Sequence, residues 1–341
     1  MKRLIVGALG LIAVAIAIWA GWWFIGAEGQ RSALEMWLEK QRQRGWQAEA
    51  SSIEMTGFPG AFQMQATEIQ LADPRNGWSW HAPSLLAESS AAAPTRIEVT
   101  WPDTQTLGLL DDRLTILAKP LTTLLDLRPG HSMALREAKT GSANLVVKAR
   151  SGWTGAAKAI DLNIAERPDG TGPDNSYDLR GNASGVKLPK ELLDDIDPTG
   201  LLKPSIDQVT LVGHAAFDQP LDRLTIEEGQ LAMRAATIRE AGFAWGDMTL
   251  LINGSFKVDN RGYPVGKINV EAKEWRRIVE LAISSGVIDE TTGEAIEGAV
   301  KLVTAFSGGG EDLSIPLALK GGEVRIGPFA IAKAPRLAPP R

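Results

Sequence analysis

The chain has 341 residues, 44% of them apolar, 23% charged and 6% aromatic, with a formal charge of −5. That apolar share excludes a wholly disordered or collagen-like chain, and 341 residues are enough for one large domain or two ordinary ones. The absence of cysteine excludes disulfide scaffolds, thiolate zinc sites, iron–sulfur clusters and cysteine nucleophiles, and the acidic balance argues against general nucleic-acid binding.

From Leu4 to Ala27 the chain carries no charge, a run long enough to cross a bilayer core of about 30 Å. Lys2 and Arg3 precede the run and Glu28 follows it, so the positive end is expected on the cytoplasmic side. Trp19, Trp22 and Trp23 lie near the far end, where indoles favour the membrane–water interface. A cleaved signal peptide would have an apolar region of roughly 7–15 residues ending at small residues. Here Ala15 and Ala17 sit inside the run, which favours a retained anchor over residues 1–27. Without those residues the body holds 34 basic and 41 acidic residues, a charge of −7. Such a body would meet lipid through apolar surface rather than by charge.

Residues 28–45 read as a juxtamembrane helix, with Ala33, Leu34, Trp37 and Leu38 on one face and Gly45 as its stop. After Gly45 the hydrophobic period changes from 3.6 to 2. Phe62, Met64 and Ala66 alternate with polar neighbours, as do Ile97, Val99 and Trp101. The same holds for Ile160, Leu162 and Ile164, and for Val209, Leu211, Gly213, Ala215 and Phe217. One apolar and one polar face is the pattern of antiparallel sheet. The longest case runs from Ala244 to Val258, turns through Asp259–Gly262 and returns from Pro264 to Ala272.

Short helices are expected at 120–127 and 189–196, and longer ones at 274–285 and 291–306. The last opens on a Thr291–Glu294 capping box. Short strands return at 313–320, 323–326 and 329–332, followed by a proline-rich tail at 335–341. A loop rich in Pro, Gly and Asp at 167–175 divides the body into β-rich regions at 46–166 and 176–334. The expected class is therefore α+β, mainly β: an N-terminal transmembrane helix, then antiparallel meandering sheet with a few covering helices.

No catalytic constellation appears in the sequence. His81, His131 and His214 stand far apart, and His214 falls on the polar side of its strand, where a solvated imidazole is the expectation. There is no Gly-x-Ser-x-Gly elbow, phosphate-binding loop or dinucleotide fingerprint. Asp194, Asp195 and Asp197 lack the bidentate Glu of a calcium loop. The sequence thus implies no enzyme, cofactor or metal. What recurs is apolar sheet face, and the candidate surface is Met248, Leu250, Ile252, Phe256, Ile268 and Val270 on the long hairpin. Whether helices close that face or leave it as a groove stays open at this stage.

Several segments carry a resemblance. They are Gly57-Phe58-Pro59 after the first strand, Trp-Ser-Trp-His-Ala-Pro at 78–83, Gly-Tyr-Pro-Val-Gly at 262–266, and Leu-Ser-Ile-Pro-Leu-Ala-Leu-Lys-Gly-Gly-Glu-Val-Arg-Ile-Gly-Pro-Phe at 313–329. Together they resemble the domain of unknown function 2125 family, membrane-anchored envelope proteins of Gram-negative bacteria. The hairpin-plus-terminal-strand style is also similar to AsmA-like envelope proteins, thought to help move lipids. The resemblance implies a single-pass inner-membrane protein with a periplasmic body that contacts the membrane through residues 4–27. The family has no assigned activity; the uncharged run, the one-sided strands and the absence of catalytic motifs lead to the expectation of a non-enzymatic role in envelope assembly or lipid handling through the apolar sheet face, with lipid or an envelope protein as partner. An anchored scaffold binding a protein partner is the alternative, and a hydrolase built on scattered carboxylates is third.

Overall fold

The computed structural model describes residues 2–339 apart from 131, 169, 198–199, 201, 229–230, 287 and 308–311. Side chains are described from residue 14, apart from 195, 226–228, 299, 302–307 and 312 among the rest. His131 and residues 308–311, after the helix expected at 291–306, thus lie outside the described residues. The chain forms two compact units, residues 1–126 with 149–151, and residues 127–148 with 152–341.

The first unit opens with one uninterrupted helix, α1 (Lys2–Gln43), where the sequence suggested an anchor and a separate juxtamembrane helix. Among the described residues no helix is long and apolar enough to cross a membrane, and side chains before Val14 are not among those described. Trp23, Ala27, Leu38 and Gln41 are buried, which gives the helix one face committed to the protein. Trp23 and Ala27 pack with Phe62 and Ala91. The Trp23 indole stacks on Phe62 at 5.6 Å, and its N–H donates to the Ala61 carbonyl at 2.7 Å.

Five antiparallel lanes follow, three of them broken into two strands. The first lane is β1 (Gln47–Glu49) and β2 (Ser52–Thr56), both paired to β3 (Ala61–Asp73), which pairs with β4 (Trp78–Ser90). Against β4 lie β5 (Ala93–Thr100) and β6 (Thr104–Gly108), and against these β7 (Arg113–Leu117) on β6 and β8 (Leu121–Leu127) on β5. The breaks at 50–51, 101–103 and 118–120 line up with Glu68, whose φ is +47°, and with Pro83. Pro83, Pro102 and Pro120 have no N–H to give a ladder, so they gather where pairing is interrupted. Tryptophans span this crease. Trp80 donates to Gln105 Oε1 at 2.8 Å, Trp101 donates to Thr123 Oγ1 at 2.9 Å, and the two rings meet edge-on at 6.0 Å. This accounts for the Trp-rich 78–83 segment.

Residues 120–127 are strand β8, not the expected helix. Thr123 faces inward and is buried, and β-branched residues at 122 and 123 favour the pleat once a neighbouring strand is present.

The second unit is a meander of β9 (Leu135–Ala149), β10 (Thr154–Glu166), β11 (Ser176–Val186), β12 (Ile206–Phe217), β13 (Met233–Trp245), β14 (Met248–Val258), β15 (Pro264–Lys273) and β16 (Asp312–Lys320). Each strand pairs antiparallel with the next. Two short strands, β17 (Glu323–Ile326) and β18 (Phe329–Lys333), continue it. The 167–175 loop lies inside this unit, as the β10–β11 connection. Four helices interrupt the meander: α2 (Lys190–Ile196), α3 (Arg223–Glu228), α4 (Trp275–Ser284) and α5 (Glu290–Ser307). The N-terminus of α5 is held by Asp289, whose carboxylate accepts the Thr292 N–H at 2.7 Å, rather than by a Thr291–Glu294 box. Thr292 hydrogen bonds hold the Asp289 carboxyl below its ordinary range.

The expected continuous strand from Ala244 to Val258 is two strands. A two-residue turn at Gly246–Asp247 separates β13 from β14, with Trp245 opposite Met248. A two-residue loop pairs odd with even positions, so the apolar parity switches from odd (Ala241, Phe243, Trp245) to even (Met248, Leu250, Ile252) across the turn, and the apolar Ala244 on the polar side masks that switch in a period count. The return strand from Pro264 is where the sequence placed it.

The small residues in the hairpin stripe serve close packing. A Cβ on Gly266 would lie 2.2 Å from the Ser255 carbonyl oxygen and 2.6 Å from Phe256 Cα, both backbone atoms that cannot yield separately. Gly266→Ala is therefore expected to lower stability by about 1–3 kcal/mol, read as a lower urea midpoint at unchanged slope. A midpoint equal to the parent's would show that β14 and β15 are less closely apposed than described.

Candidate functional site

Antiparallel register decides which side chains share a face. Leu250 opposes Ala272, Ile252 opposes Val270, Gly254 opposes Ile268 and Phe256 opposes Gly266. The six residues singled out from the sequence thus come together on one face of the β14–β15 hairpin, with Met248 nearest the Gly246–Asp247 turn. They differ in exposure. Met248 is buried, while Leu250, Ile252, Phe256, Ile268 and Val270 are half-buried.

The same face extends further than the hairpin pattern suggested. Towards β16 it continues as Leu313, Ile315 and Leu317. Towards β10 it runs through Phe243 and Ala241, Val209 and Leu211, Ala183 and Gly181, and Ile160 and Leu162. The alternation of β10, β12, β14 and β15 was visible in sequence, but that of β11 and β13, and the register that joins them all, was not.

Helices close one part of this face. Trp275 and Val279 of α4 and Val300 of α5 form a core with Ala272, Ile315 and Ile326, against which Leu250, Leu313 and Leu317 pack. At another end Tyr177 is fully buried and its hydroxyl accepts the Leu221 N–H at 2.9 Å. Burial raises the Tyr177 pKa above the usual phenol value, so this hydroxyl stays protonated at neutral pH. Between these closed regions Leu162 is 50% exposed, Leu211 44% and Val209 37%. Leu162 and Leu211 flank the buried Gly181, where a Cβ would sit 3.2 Å from Leu162 Cδ2 and 3.7 Å from Leu211 Cβ. Glycine there leaves a shallow trough between two exposed leucines. The face is thus neither wholly core nor wholly groove.

The opposite face is polar. A cleft of about 490 Å³ there is bordered by Thr210, Glu240, Thr249, Glu271, Lys273 and Ser314, among others. Glu240 and Glu271 come from strands on either side of β14, so their backbones stand about 10 Å apart across the sheet. Among the described residues no group of three or more His, Asp or Glu is arranged to hold a metal ion. His81 Nε2 lies 3.1 Å from Glu68 Oε2.

His214 departs from the solvated imidazole expected of it. It lies on the polar face but is half-buried, and its Nδ1 is buried without a hydrogen-bond partner. Asp178 opposes it across the ladder and is itself shared by Arg239 at 3.3 Å and Arg167 at 3.8 Å. Burial, helped by Arg167 and Arg239 and opposed by Asp178, lowers the His214 pKa below 6.5. The unfolded chain then binds this proton first, so stability falls as pH drops through about 6.5 and levels off below the folded-state value. His214→Gln is expected to remove that component, making the loss of urea stability between pH 8 and pH 5 smaller than in the parent. An unchanged pH dependence would assign the slope to other groups.

Among curated proteins and among solved structures nothing matches the chain. A family model described as "Uncharacterized protein conserved in bacteria (DUF2125)" matches residues 23–335, which include both strand-rich units and the docked part of α1. The chain therefore belongs to the DUF2125 family of bacterial proteins.

Proposed function

We propose that this is a non-enzymatic, membrane-anchored envelope protein that handles lipid through the apolar face of its second unit. The observation that carries the reading is the unequal covering of that face. Helices α4 and α5 bury its β14–β16 end, while Leu162, Val209 and Leu211 face solvent beside one another. Scattered single apolar residues on a surface need no explanation, but a contiguous set on one sheet face does. An acyl chain suits this trough, because it needs apolar contact and no hydrogen-bond partner. The uncharged run Leu4–Ala27 supports anchoring in the inner membrane with the body in the periplasm. AsmA-like lipid movers supply an analogy of style and only that.

The test uses a photoreactive amino acid placed singly at Leu162, Leu211 or Thr210 in the full chain, in cells fed a clickable fatty acid. Lipid adducts are expected at 162 and 211 and not at 210, which lies on the polar face of the same strand as 211. Equal labelling at all three positions, or none at 162 and 211, would overturn lipid handling. Reproducible protein adducts at 211 instead would favour the anchored scaffold. Leu211→Asp is expected to abolish the acyl adduct at 162 while leaving the unfolding free energy from urea titration within about 0.5 kcal/mol of the parent. Leu250 is unsuitable for that substitution because it packs into the helix-covered core.

A further inference from the structure

The junction between α1 and the first unit has a feature that a simple anchor does not require. Residues 57–62, Gly-Phe-Pro-Gly-Ala-Phe, form an uncharged turn that meets the helix at the end of the uncharged run. Phe62 is buried under Trp23, but Phe58 is 48% exposed and stacks on exposed Phe24 at 5.7 Å. Trp19 and Trp22 lie beside them, with rings 5.1 Å apart and more than two-fifths of each residue exposed. Exposed apolar residues continue up the helix as Ile18, Ile16 and Val14.

Two properties suit this cluster to the lipid–water interface. First, the Trp19 indole and part of the turn backbone already have hydrogen-bond partners within the protein. The Trp19 N–H donates to the Pro59 carbonyl at 3.0 Å, and Gly60 and Ala61 N–H groups both donate to the Gly57 carbonyl. Aromatic rings can enter hydrocarbon when their donors and the neighbouring backbone need no water. Second, the turn is built to hold Phe58 outward. Gly57 has φ of +98°, and a Cβ there would sit 2.7 Å from the Ala61 carbonyl oxygen, so this backbone path requires glycine. The helix meanwhile runs unbroken to Gln43 and buries one face, through Trp23, Ala27, Leu38 and Gln41, leaving no linker to lift the unit away.

We propose that the Phe58–Pro59 turn dips into the lipid interface alongside Trp19, Trp22 and Phe24, seating the first unit directly on the bilayer. The proposal rests on the anchor reading above and adds a second, non-helical contact to it. It moves the water boundary up to the level of Phe24, several residues before the end of the run at Ala27. Glu28, the first charge after Lys2 and Arg3, stands one helical turn beyond it.

The chain has no cysteine, so single cysteines can carry a nitrobenzoxadiazole label without background. The full chain is reconstituted in phosphatidylethanolamine–phosphatidylglycerol vesicles containing lipids spin-labelled at acyl carbon 5 or 12. Three variants are compared: Ile16→Cys on the helix, Phe58→Cys on the turn, and Asp111→Cys in the β6–β7 turn at the opposite end of the first sheet. The label at 16 is expected to be blue-shifted and quenched more by the carbon-12 spin label. The label at 58 is expected to be quenched at least twofold more by the carbon-5 label than by the carbon-12 label, and the label at 111 by neither. Quenching at 16 with a label at 58 that behaves like 111 would overturn the seat while leaving the anchor. No quenching at 16 would overturn the anchor itself. A blue shift at 58 without quenching would mark a protein contact there and would also overturn the proposal.

Discussion

Everything distinctive in the second unit depends on one constraint, the sidedness of antiparallel pairing. Paired residues in such a ladder project to the same face, so six successive ladders carry one strand's apolar parity across the seven strands β10–β16. The result is a sheet with one apolar and one polar side. Helices α4 and α5 are a local answer to that sidedness, burying Trp275, Val279 and Val300 against the β15–β16 end. They supply 10 and 18 residues of helix, too little to cover seven strands. The exposed leucines around Gly181 are what remains.

The first unit answers a different demand. Its lanes are interrupted at one level by Pro83, Pro102 and Pro120 and by the left-handed Glu68, so pairing is given up along a line rather than at random. Trp80 and Trp101 recover part of the loss there by donating to Gln105 and Thr123. The same unit receives α1 through Phe62 and Trp23, so the helix that carries the uncharged run Leu4–Ala27 is continuous with a segment docked on a folded sheet. A junction of this kind transmits orientation, whereas a flexible tether would not.

Lipid handling at the second unit and seating of the first unit on a bilayer are separate ideas that draw on the same chemistry. Both concern exposed apolar side chains that adjoin buried ones of the same surface. His214 is the counterexample on the polar face, a half-buried ring with an unpartnered Nδ1 whose position suits the neutral state.

Much of the strand pattern was legible because period-2 alternation reports sidedness directly, as at Ile160–Ile164 and Val209–Phe217. Helices α2, α4 and α5 were legible for the same kind of reason, their period being 3.6. Three features were not. The stretch 120–127 is too short and too mixed for its period to decide, and only pairing to β5 made it a strand. The Gly246–Asp247 turn switches the apolar parity from odd to even, but Ala244 on the polar side is itself apolar and masks the switch. The Asp289 cap lies two residues before the box that the pattern suggested, because a hydrogen bond to Thr292 is settled by backbone geometry. By itself, then, the sequence determined the β-rich class, the uncharged N-terminal run and the apolar parity of strands such as β10, β12, β14 and β15, since these depend on local order alone. Only the tertiary structure decided which parities merge into one face, where helices cover it, and that Trp23 is buried while Phe58 is left out, since these depend on register between residues distant in the chain.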